Sequence, residues 1–197
     1  MPGALPASAL DQLFRQARTF NEWDSRPVDD RTIHALYELL KWGPTAANSS
    51  PARFAWVRSA EGKAKLSALA TGANQSKILA APVTVIIGYD LAFPETMPQL
   101  FPARGEAMRE VFAQPDINEI TAKRNSSLQG AYLIMAARAL GLDCGPMSGF
   151  DNAGVDREFF GGTRIQSNFI CSIGYGKAGT PFPRNPRLAF EEAGAWA

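Results

Sequence analysis

Two pairs of side chains in this chain have the chemistry needed to bind a flat, anionic ligand. Arg18 and Thr19 place a guanidinium beside a hydroxyl at the expected end of a first helix, and an arginine fork matches the oxygens of a phosphate. Asn74 and Lys77 are spaced i, i+3 on a predicted helix and therefore share one face. Their amide could pair with the edge of a heterocycle while the ammonium stabilises negative charge on it.

Two loops could approach such a ligand with backbone groups. The stretch GPMSGF, from Gly145 to Phe150, follows a predicted strand, and its two glycines around a proline permit a close approach. The stretch KWGPTAANSSPARF, from Lys41 to Phe54, holds no obvious pair of acid, base or nucleophile. It is either a plain connector or a surface shaped to hold a group that brings its own chemistry.

Each of these features also has a plainer explanation. Arg18 could interact with a helix dipole, Asn74 could cap a helix, and Lys77 could be a surface lysine. The glycine pair could form an ordinary tight turn. Arg184 and Arg187 in the tail are either anion ligands or solvated charges. Taken singly, the motifs leave these alternatives open.

The usual catalytic constellations are missing from the sequence. His34 is the only histidine, which disfavours a metal cluster, and we interpret it as a surface or structural residue. The sequence contains no G-x-S-x-G elbow, no G-x-x-x-x-G-K-[ST] loop and no G-x-G-x-x-G after a strand. We therefore expect no metal site and no Rossmann-type nicotinamide domain.

The composition is that of one ordinary globular domain, which we expect to span residues 1–197. Apolar residues make up 46% and charged residues 20%, and the net charge of +1 gives no reason to expect a nucleic-acid partner. Cys144 and Cys171 are interpreted as buried, reduced thiols, which fits a cytoplasmic location. The N-terminal stretch does not resemble a signal peptide, and the apolar runs are shorter than the ~20 residues that span a bilayer, so no membrane partner is expected.

A pattern of helices and strands must position these residues. Periodicity, capping residues and stop signals predict helices over 8–18, with Ser8 as N-cap, and over 29–42, 60–72, 74–80, 118–142 and 155–161. Apolar and β-branched runs predict strands over 53–59, 82–90 and 167–176, and a short strand and turn over 143–150. The proline-rich stretch 91–118 shows little periodicity and is expected to be a lid or an interface segment, followed much later by an extended tail.

This alternation of strands and helices predicts an α/β or α+β fold with a mixed sheet. The second half of helix 118–142 is apolar nearly all round, which is typical of a buried helix. We therefore expect this helix at the centre of the molecule.

The order of the motifs resembles the nitroreductase family of FMN-dependent oxidoreductases across nearly the whole chain. The matching stretches are ARTFNEW for the phosphate motif, GPTAANSSPARF for the P-[ST]-x-x-N loop, NQSKILAAPVTVIIG for the N-x-x-K helix entry, ALGLDCGPMSGF for the turn after the long helix, and IGYG for the closing strand. The resemblance implies an α+β fold whose mixed central sheet is flanked by helices. It also implies a homodimer with an FMN site at each of two places across the interface.

The resemblance assigns roles to particular residues. Cofactor binding is implied for Arg18, Thr19, Pro44, Thr45, Ala46, Asn48, Asn74, Lys77, Pro146, Met147, Ser148, Gly149 and Arg187, with Pro44 to Asn48 reaching the flavin of the partner subunit. Lys77 is implied to stabilise charge on the flavin, and no catalytic side chain is implied because flavin N5 carries the hydride. The chain departs from the family at Ala17 and Asn21, where many members are basic, and at Ser50, where glutamine is common.

Three stretches look like the subgroup of the family that reduces malonic semialdehyde: LKWGPTAANSSPARF, RNSSLQGAYLIMAARALGLDCGPMSGFD and SNFICSIGYG. The resemblance implies ping-pong hydride transfer from NADPH or NADH to this or a similar small aldehyde, giving 3-hydroxypropionate. A nitroaromatic or quinone reductase of the same family is one alternative, and a non-catalytic flavin-binding protein is another. Arg53, Arg104 and Arg124 are the candidates for holding the substrate carboxylate.

Overall fold

Helices cover a four-stranded sheet in the computed structural model, which describes residues 3–197. The elements are α1 (Ala7–Leu10), α2 (Asp30–Leu40), β1 (Ala52–Val57), α3 (Ala60–Ala68), α4 (Asn74–Ala80), β2 (Val83–Asp90), α5 (Met97–Leu100), α6 (Gly105–Phe112), α7 (Pro115–Ala139), β3 (Asp143–Met147), α8 (Asn152–Phe159), β4 (Ile165–Gly174) and α9 (Phe190–Ala193). The predicted domain begins at residue 1, and its first two residues lie outside the described range. None of the helices within residues 3–197 has both the length and the apolarity needed to cross a membrane.

The strands are ordered β1-β2-β4-β3, and neighbouring strands pair antiparallel throughout. Parallel pairing is confined to an isolated bridge between Thr19 and Cys144, so the mixed character predicted for the sheet rests on that bridge alone. At one end of the sheet, Tyr89 lies opposite both Ala52 and Gln166. The other end is marked by the start of β3, where Asp143 pairs with Gly174.

β2 is buried along nearly its whole length because helices cover both faces of the sheet. Val85 and Ile87 belong to a buried cluster with residues of α2 and α7. Ile86, between them, belongs to a second cluster with residues of α3, α4 and α8. This follows from the period of two along a strand, and it places α7 and α4 on opposite faces of the sheet.

α7 is the long buried helix that the sequence predicts, but its burial is one-sided. Asn125, Ser126 and Gln129 are among its buried residues. Leu128 and Tyr132, on the other side, are 46% and 42% exposed. The prediction that the second half of this helix is enclosed all round is therefore wrong for the single chain, and the apolar residues that suggested it form an exposed surface.

The segment 91–118 is largely helical, although its sequence shows little periodicity, and its role as a lid or interface segment stays a prediction. It contains a 3-10 turn at Phe93–Thr96, then α5, α6 and the start of α7, and Pro94, Pro98 and Pro115 lie in first turns. Proline is favoured there because the first N–H groups of a helix have no acceptor within that helix. The prolines that looked like breaks in a helical pattern mark the points where helices begin.

Two other helix ends differ from the prediction. α1 has no side-chain cap from Ser8, and it continues as a π-helical turn that ends at Arg15, before Arg18. α3 ends at Ala68 rather than at the predicted Gly72. By contrast, α2 begins as its acidic residues suggest, because the carboxylate of Asp29 accepts a hydrogen bond of 2.7 Å from the Thr32 N–H.

Candidate functional site

A cavity of about 420 Å³ lies beside the edge strand β3, and four arginines line it together with Thr19. The arginines are Arg18, Arg138, Arg184 and Arg187. None of the described residues that line this cavity is acidic. The cavity therefore brings together three of the predicted cofactor residues, Arg18, Thr19 and Arg187, in an environment suited to an anionic group such as a phosphate.

Two sets of backbone contacts build this cavity from distant parts of the chain. Thr19 pairs with Cys144 at the edge of β3, and the Phe20 N–H donates to the Cys144 carbonyl at 3.0 Å. The Arg184 Nη2 donates to the carbonyls of Arg15 and Ala17 at 2.7 and 2.9 Å. The tail is thereby tied across the end of the first helical segment, with Arg184 serving as a structural tether.

Arg138 is a cavity residue that the motif search did not single out. It lies in the last turn of α7, and its Nη1 donates to the Leu13 carbonyl at 3.0 Å. Its Nε is buried and has no hydrogen-bond partner within the described residues. The break that Arg138 makes in the apolar run GAYLIMAARALGL was the available sequence signal for a functional residue.

Asp143, at the start of β3, is an acid whose pKa is influenced by the charge of Arg138. Burial raises the pKa of the Asp143 carboxyl, while the hydrogen bond from the Gly176 N–H and the charge of Arg138 oppose that rise. The hydrogen bond measures 2.9 Å. The charge of Arg138 is thus partly offset beneath the cavity while its Nε lacks a partner.

Asn74 and Gly149 are in direct contact, as their shared role predicts. The Asn74 Nδ2 donates to the Gly149 carbonyl at 3.2 Å, and the Thr71 N–H donates to the same oxygen at 3.0 Å. A Cβ on Gly149 would lie 2.7 Å from the Thr71 Oγ1 and 2.8 Å from the Asn74 Nδ2, so any other residue here would displace these side-chain atoms. The alternative that Asn74 caps a helix is wrong, because α4 has no side-chain cap.

Lys77 lines a second cavity of about 430 Å³ that shares Asn21 and Phe182 with the arginine cavity. The ammonium of Lys77 makes no ion pair or side-chain hydrogen bond within residues 3–197. The two cavities therefore form neighbouring parts of one predominantly cationic cleft, with the four arginines at one end and Lys77, together with the acid Glu22, at the other.

Pro146 and Met147 belong to the strand β3 and not to the turn that follows it. They are the last residues of β3, opposite Cys171 and Ile170. The turn itself begins at Ser148, whose carbonyl accepts from the Phe150 N–H at 3.2 Å. The chain thus leaves the edge strand toward Asn74, which lies three residues before Lys77 on the first turn of α4.

The loop of Pro44, Thr45, Ala46 and Asn48 is held in an unusual conformation at the other end of the sheet. Ala47, Asn48 and Ser50 have φ values of 49°, 55° and 39°. These lie in the left-handed region, which costs a non-glycine residue on the order of 1 kcal/mol or more. The loop therefore needs strong restraints from the rest of the fold.

Two buried amides of α7 supply those restraints, and the sequence motifs did not identify either one. The Asn125 Oδ1 accepts from the Ala46 N–H, and the Gln129 Oε1 accepts from the Ala52 N–H, both at 2.8 Å. The Asn48 Nδ2 adds a bond of 2.8 Å to the Leu100 carbonyl. The i, i+4 spacing of Asn125 and Gln129 placed both amides on one helix face, which was the signal available in the sequence.

Within the single chain, the loop of Pro44 to Asn48 lies apart from the predicted cofactor residues of the arginine cavity. Asn125 holds the loop, whereas Arg138 lines the arginine cavity, and thirteen residues of one helix separate them, which corresponds to about 20 Å. Pro44 to Asn48 therefore lie far from Arg18 and Arg187. Lys77 is separated from the loop by the sheet, because α4 packs on the opposite face from α7.

Comparisons with known proteins agree with this architecture. The family model described as "Nitroreductase family" matches residues 14–177. A protein of Caulobacter sp. (strain K31) with the provisional name NADH dehydrogenase/NAD(P)H nitroreductase is 61% identical over 189 residues, which is 96% of each chain. A protein of Rhodopseudomonas palustris (strain TIE-1) with the same name is 61% identical over 194 residues, which is 98% of each chain.

A solved structure has the same fold at much lower sequence identity. It is a protein of Exiguobacterium sibiricum 255-15, provisionally named a nitroreductase and solved in complex with FMN, with a TM-score of 0.85, 21% identity and full coverage of both chains. At this identity the likeness establishes the fold. Together with the family match over most of the sequence and the 61% identity to curated relatives, it shows that the chain belongs to the nitroreductase family.

Proposed function

We propose that the protein is an FMN-dependent NAD(P)H oxidoreductase. The observation that carries the proposal is the cationic cleft, in which an arginine cavity without lining acids adjoins the cavity of Lys77. The relative from Exiguobacterium sibiricum is solved with FMN, and the curated relatives are named for NAD(P)H. A cofactor with a phosphate and a flat ring accounts for both ends of the cleft, and for a sequence without an acid–base or nucleophile set.

The described residues fit FMN. Arg18, Thr19 and Arg187 would hold the phosphate, and the unpartnered Nε of Arg138 would offset the missing basic residues at Ala17 and Asn21. Asn74 would hold the pyrimidine edge, and the N–H groups of Ser148 and Gly149 would donate to the ring system. Because Gly149 has no side chain, its backbone can pack closely on Thr71 and Asn74 and would also be open to a ligand.

The chemistry that FMN supplies when bound is hydride transfer from NADH or NADPH to an acceptor. Lys77 would place a fixed positive charge beside the part of the flavin that becomes negative. Preorganised electrostatic stabilisation of this kind is worth several kcal/mol in enzymes. The residues of the cleft would bind and orient the cofactor, and none of them is assigned as an acid or a base. The Asn74–Gly149 hydrogen bond anchors the start of α4, which carries Lys77, and the Thr19–Cys144 bridge anchors Thr19 on the edge strand.

A homodimer completes the site in this proposal. Pro44, Thr45, Ala46 and Asn48 lie about 20 Å from the cleft of their own chain by the length of α7, so contact with the same cofactor requires a second copy. Exposed apolar side chains on α2 and α7 support such a contact, since Tyr37, Leu128 and Tyr132 are each more than 40% exposed.

For the acceptor, we propose malonic semialdehyde or a similar small aldehyde, reduced to the alcohol by a hydride and a proton. The support is the likeness of three long stretches to that subgroup, including the loop of Pro44 to Asn48. A nitroaromatic or quinone reductase is the second candidate, because the relatives at 61% identity are named NAD(P)H nitroreductases. Parallel turnover of malonic semialdehyde, menadione and a nitroaromatic with NADPH separates the two.

The first test is the visible spectrum of the purified protein, with and without added FMN, followed by NADPH under anaerobic conditions. We expect flavin bands that bleach on addition of NADPH. Lys77→Ala is expected to slow bleaching about 100-fold, the effect of removing one preorganised donor, while FMN affinity falls much less. Protein that shows no flavin bands after addition of FMN would contradict the proposal, and unchanged bleaching in the variant would remove the role of Lys77.

A further inference from the structure

We propose that Arg104 and Arg124 together form a carboxylate-binding site, which makes the enzyme selective for small anionic acceptors. This inference rests on the proposed function, in which the loop of Pro44 to Asn48 faces the cofactor of the partner subunit. Three arginines lie near that loop, Arg53, Arg104 and Arg124, and their surroundings differ in a way that the sequence did not reveal.

Arg53 is fully engaged within its own chain. Its Nη2 forms an ion pair of 2.8 Å with Asp90, whose side chain is only 13% exposed. Its Nη1 also donates to the carbonyls of Ser50 and Ala52 at 3.2 and 3.0 Å. The guanidinium is therefore a structural clamp at the start of β1, and its charge is already offset by a carboxylate.

Arg124 is placed against the loop by its neighbours on α7. Asn125, the next residue, accepts from the Ala46 N–H at 2.8 Å. Tyr132, which ends the exposed i, i+4, i+8 row of Arg124, Leu128 and Tyr132, packs on Gly43, where a Cβ would lie 2.8 Å from the tyrosine Cγ. The row that begins at Arg124 thus runs along the loop, and the arginine itself is exposed.

Arg104 approaches the other side of the same loop. It immediately precedes α6 and lies four residues after Leu100. The carbonyl of Leu100 accepts a hydrogen bond from the Asn48 Nδ2 at 2.8 Å. The 3-10 turn Ala46–Asn48 is therefore tied at its first residue to the neighbour of Arg124 and at its last residue to the helix that leads into Arg104. The backbone positions of the two arginines are therefore tied to opposite ends of the turn.

Neither of these arginines is neutralised within the part of the chain that the structure describes. Arg104 and Arg124 make no ion pair and no side-chain hydrogen bond there. The nearby acids have other partners, since Asp90 binds Arg53 and Glu106 binds Arg109 at 2.8 Å. Two unpaired guanidinium groups beside a loop without acids favour a ligand carboxylate, which an arginine fork can bind through two parallel hydrogen bonds.

The test compares a charged ligand with a neutral one in Arg104→Met, Arg124→Met and the double variant, all loaded with FMN. Arg157→Met is the matched control, because Arg157 is exposed on α8, which packs on the opposite face of the sheet from α7. We expect each site variant to weaken malonate binding, measured by calorimetry, about tenfold or more, the range for losing a charge-assisted hydrogen bond. The control is expected to bind malonate like the unmodified protein.

Turnover supplies the second readout. The site variants are expected to raise KM for malonic semialdehyde by a similar factor, while kcat/KM for propanal and menadione, which carry no charge, changes less than about twofold. Equal losses with charged and neutral acceptors, or malonate binding that is absent in the unmodified protein or unchanged in the variants, would overturn the assignment. If the unmodified protein reduces menadione but no aldehyde, the proposed substrate fails, and the malonate titration alone then decides on the arginines.

Discussion

Tyr89 shows how a single buried hydroxyl ties together the end of the sheet that carries the loop. Its Oη donates to the Gln166 Oε1 at 2.7 Å and also lies 3.3 Å from the Glu119 Oε1. Burial, reinforced by the charge of Glu119, raises the pKa of Tyr89 to about 12. The side chain is therefore neutral at every physiological pH and acts as a structural donor.

This pKa leads to a prediction about stability at alkaline pH. A group whose pKa is raised in the folded state contributes stability that is complete below its unfolded value, about 10, and is lost as pH rises through about 12. Tyr89→Phe should cost about 1 kcal/mol at pH 8, because a hydrogen bond is lost, and this difference should shrink between pH 10 and 12. Urea unfolding of both proteins at several pH values measures the difference, and a constant difference would contradict the assigned pKa.

At the scale of elements, α7 serves both parts of the proposed site. Asn125 and Gln129 hold the loop near one end of the helix, and Arg138 enters the arginine cavity near the other. These amides bind the N–H groups on either side of the left-handed residues of the loop and so help to hold their conformation. Loss of the amides should therefore release the loop before it affects the cavity.

The corresponding prediction concerns Asn125→Leu and Gln129→Leu. Each leaves a loop N–H without its partner, which should destabilise the fold by about 1–3 kcal/mol. Hydrogen exchange at the Ala46 and Ala52 amides should become faster. Lys123→Leu, an exposed substitution on the same helix, is the control. Protected amides in the two variants would show that the loop holds its shape by other means.

Local signals in the sequence predicted those elements whose causes are local. The N-cap at Asp29 and the β-branched run of β2 depend on neighbouring residues, and both are present in the structure. The buried amide of Asn125 was missed because its partner Ala46 is 79 residues away in sequence. The helices of 91–118 were missed because proline stops a helix or starts one according to its position, and the pattern alone did not distinguish the two roles.

The candidate site shows the same division. Arg18, Thr19 and Arg187, which local motifs picked out, line one cavity, and Asn74 contacts Gly149, while their binding of a cofactor stays a prediction. The roles of Arg138 and Arg184 required the folded chain, because they depend on where α7 ends and how the tail returns to the first helical segment. The separation of the loop from the cleft was equally invisible, since it follows from the length of α7 rather than from any motif.

At the scale of the whole molecule, the exposed apolar stripe of α7 leads to a prediction about assembly. Leu128→Glu places a charge in the surface proposed to join two copies, and it should shift the protein toward a monomer that retains its fold. Light scattering after size exclusion measures this, and FMN affinity should fall together with dimer content. Leu79→Glu, at an equally exposed leucine of α4, is the control. A dimer that survives Leu128→Glu, or a monomer with unchanged FMN affinity, would contradict a site shared between copies.

The tether formed by Arg184 has a consequence for the order of events during synthesis. A ribosome releases the chain from its N-terminal end, so the four strands emerge before Arg184 and Arg187. The sheet and both of its helical layers can then assemble while the arginine cavity still lacks two of its four cations. If the cavity holds the phosphate of the proposed cofactor, we expect that cofactor to bind late in synthesis, after the core of the chain has been made.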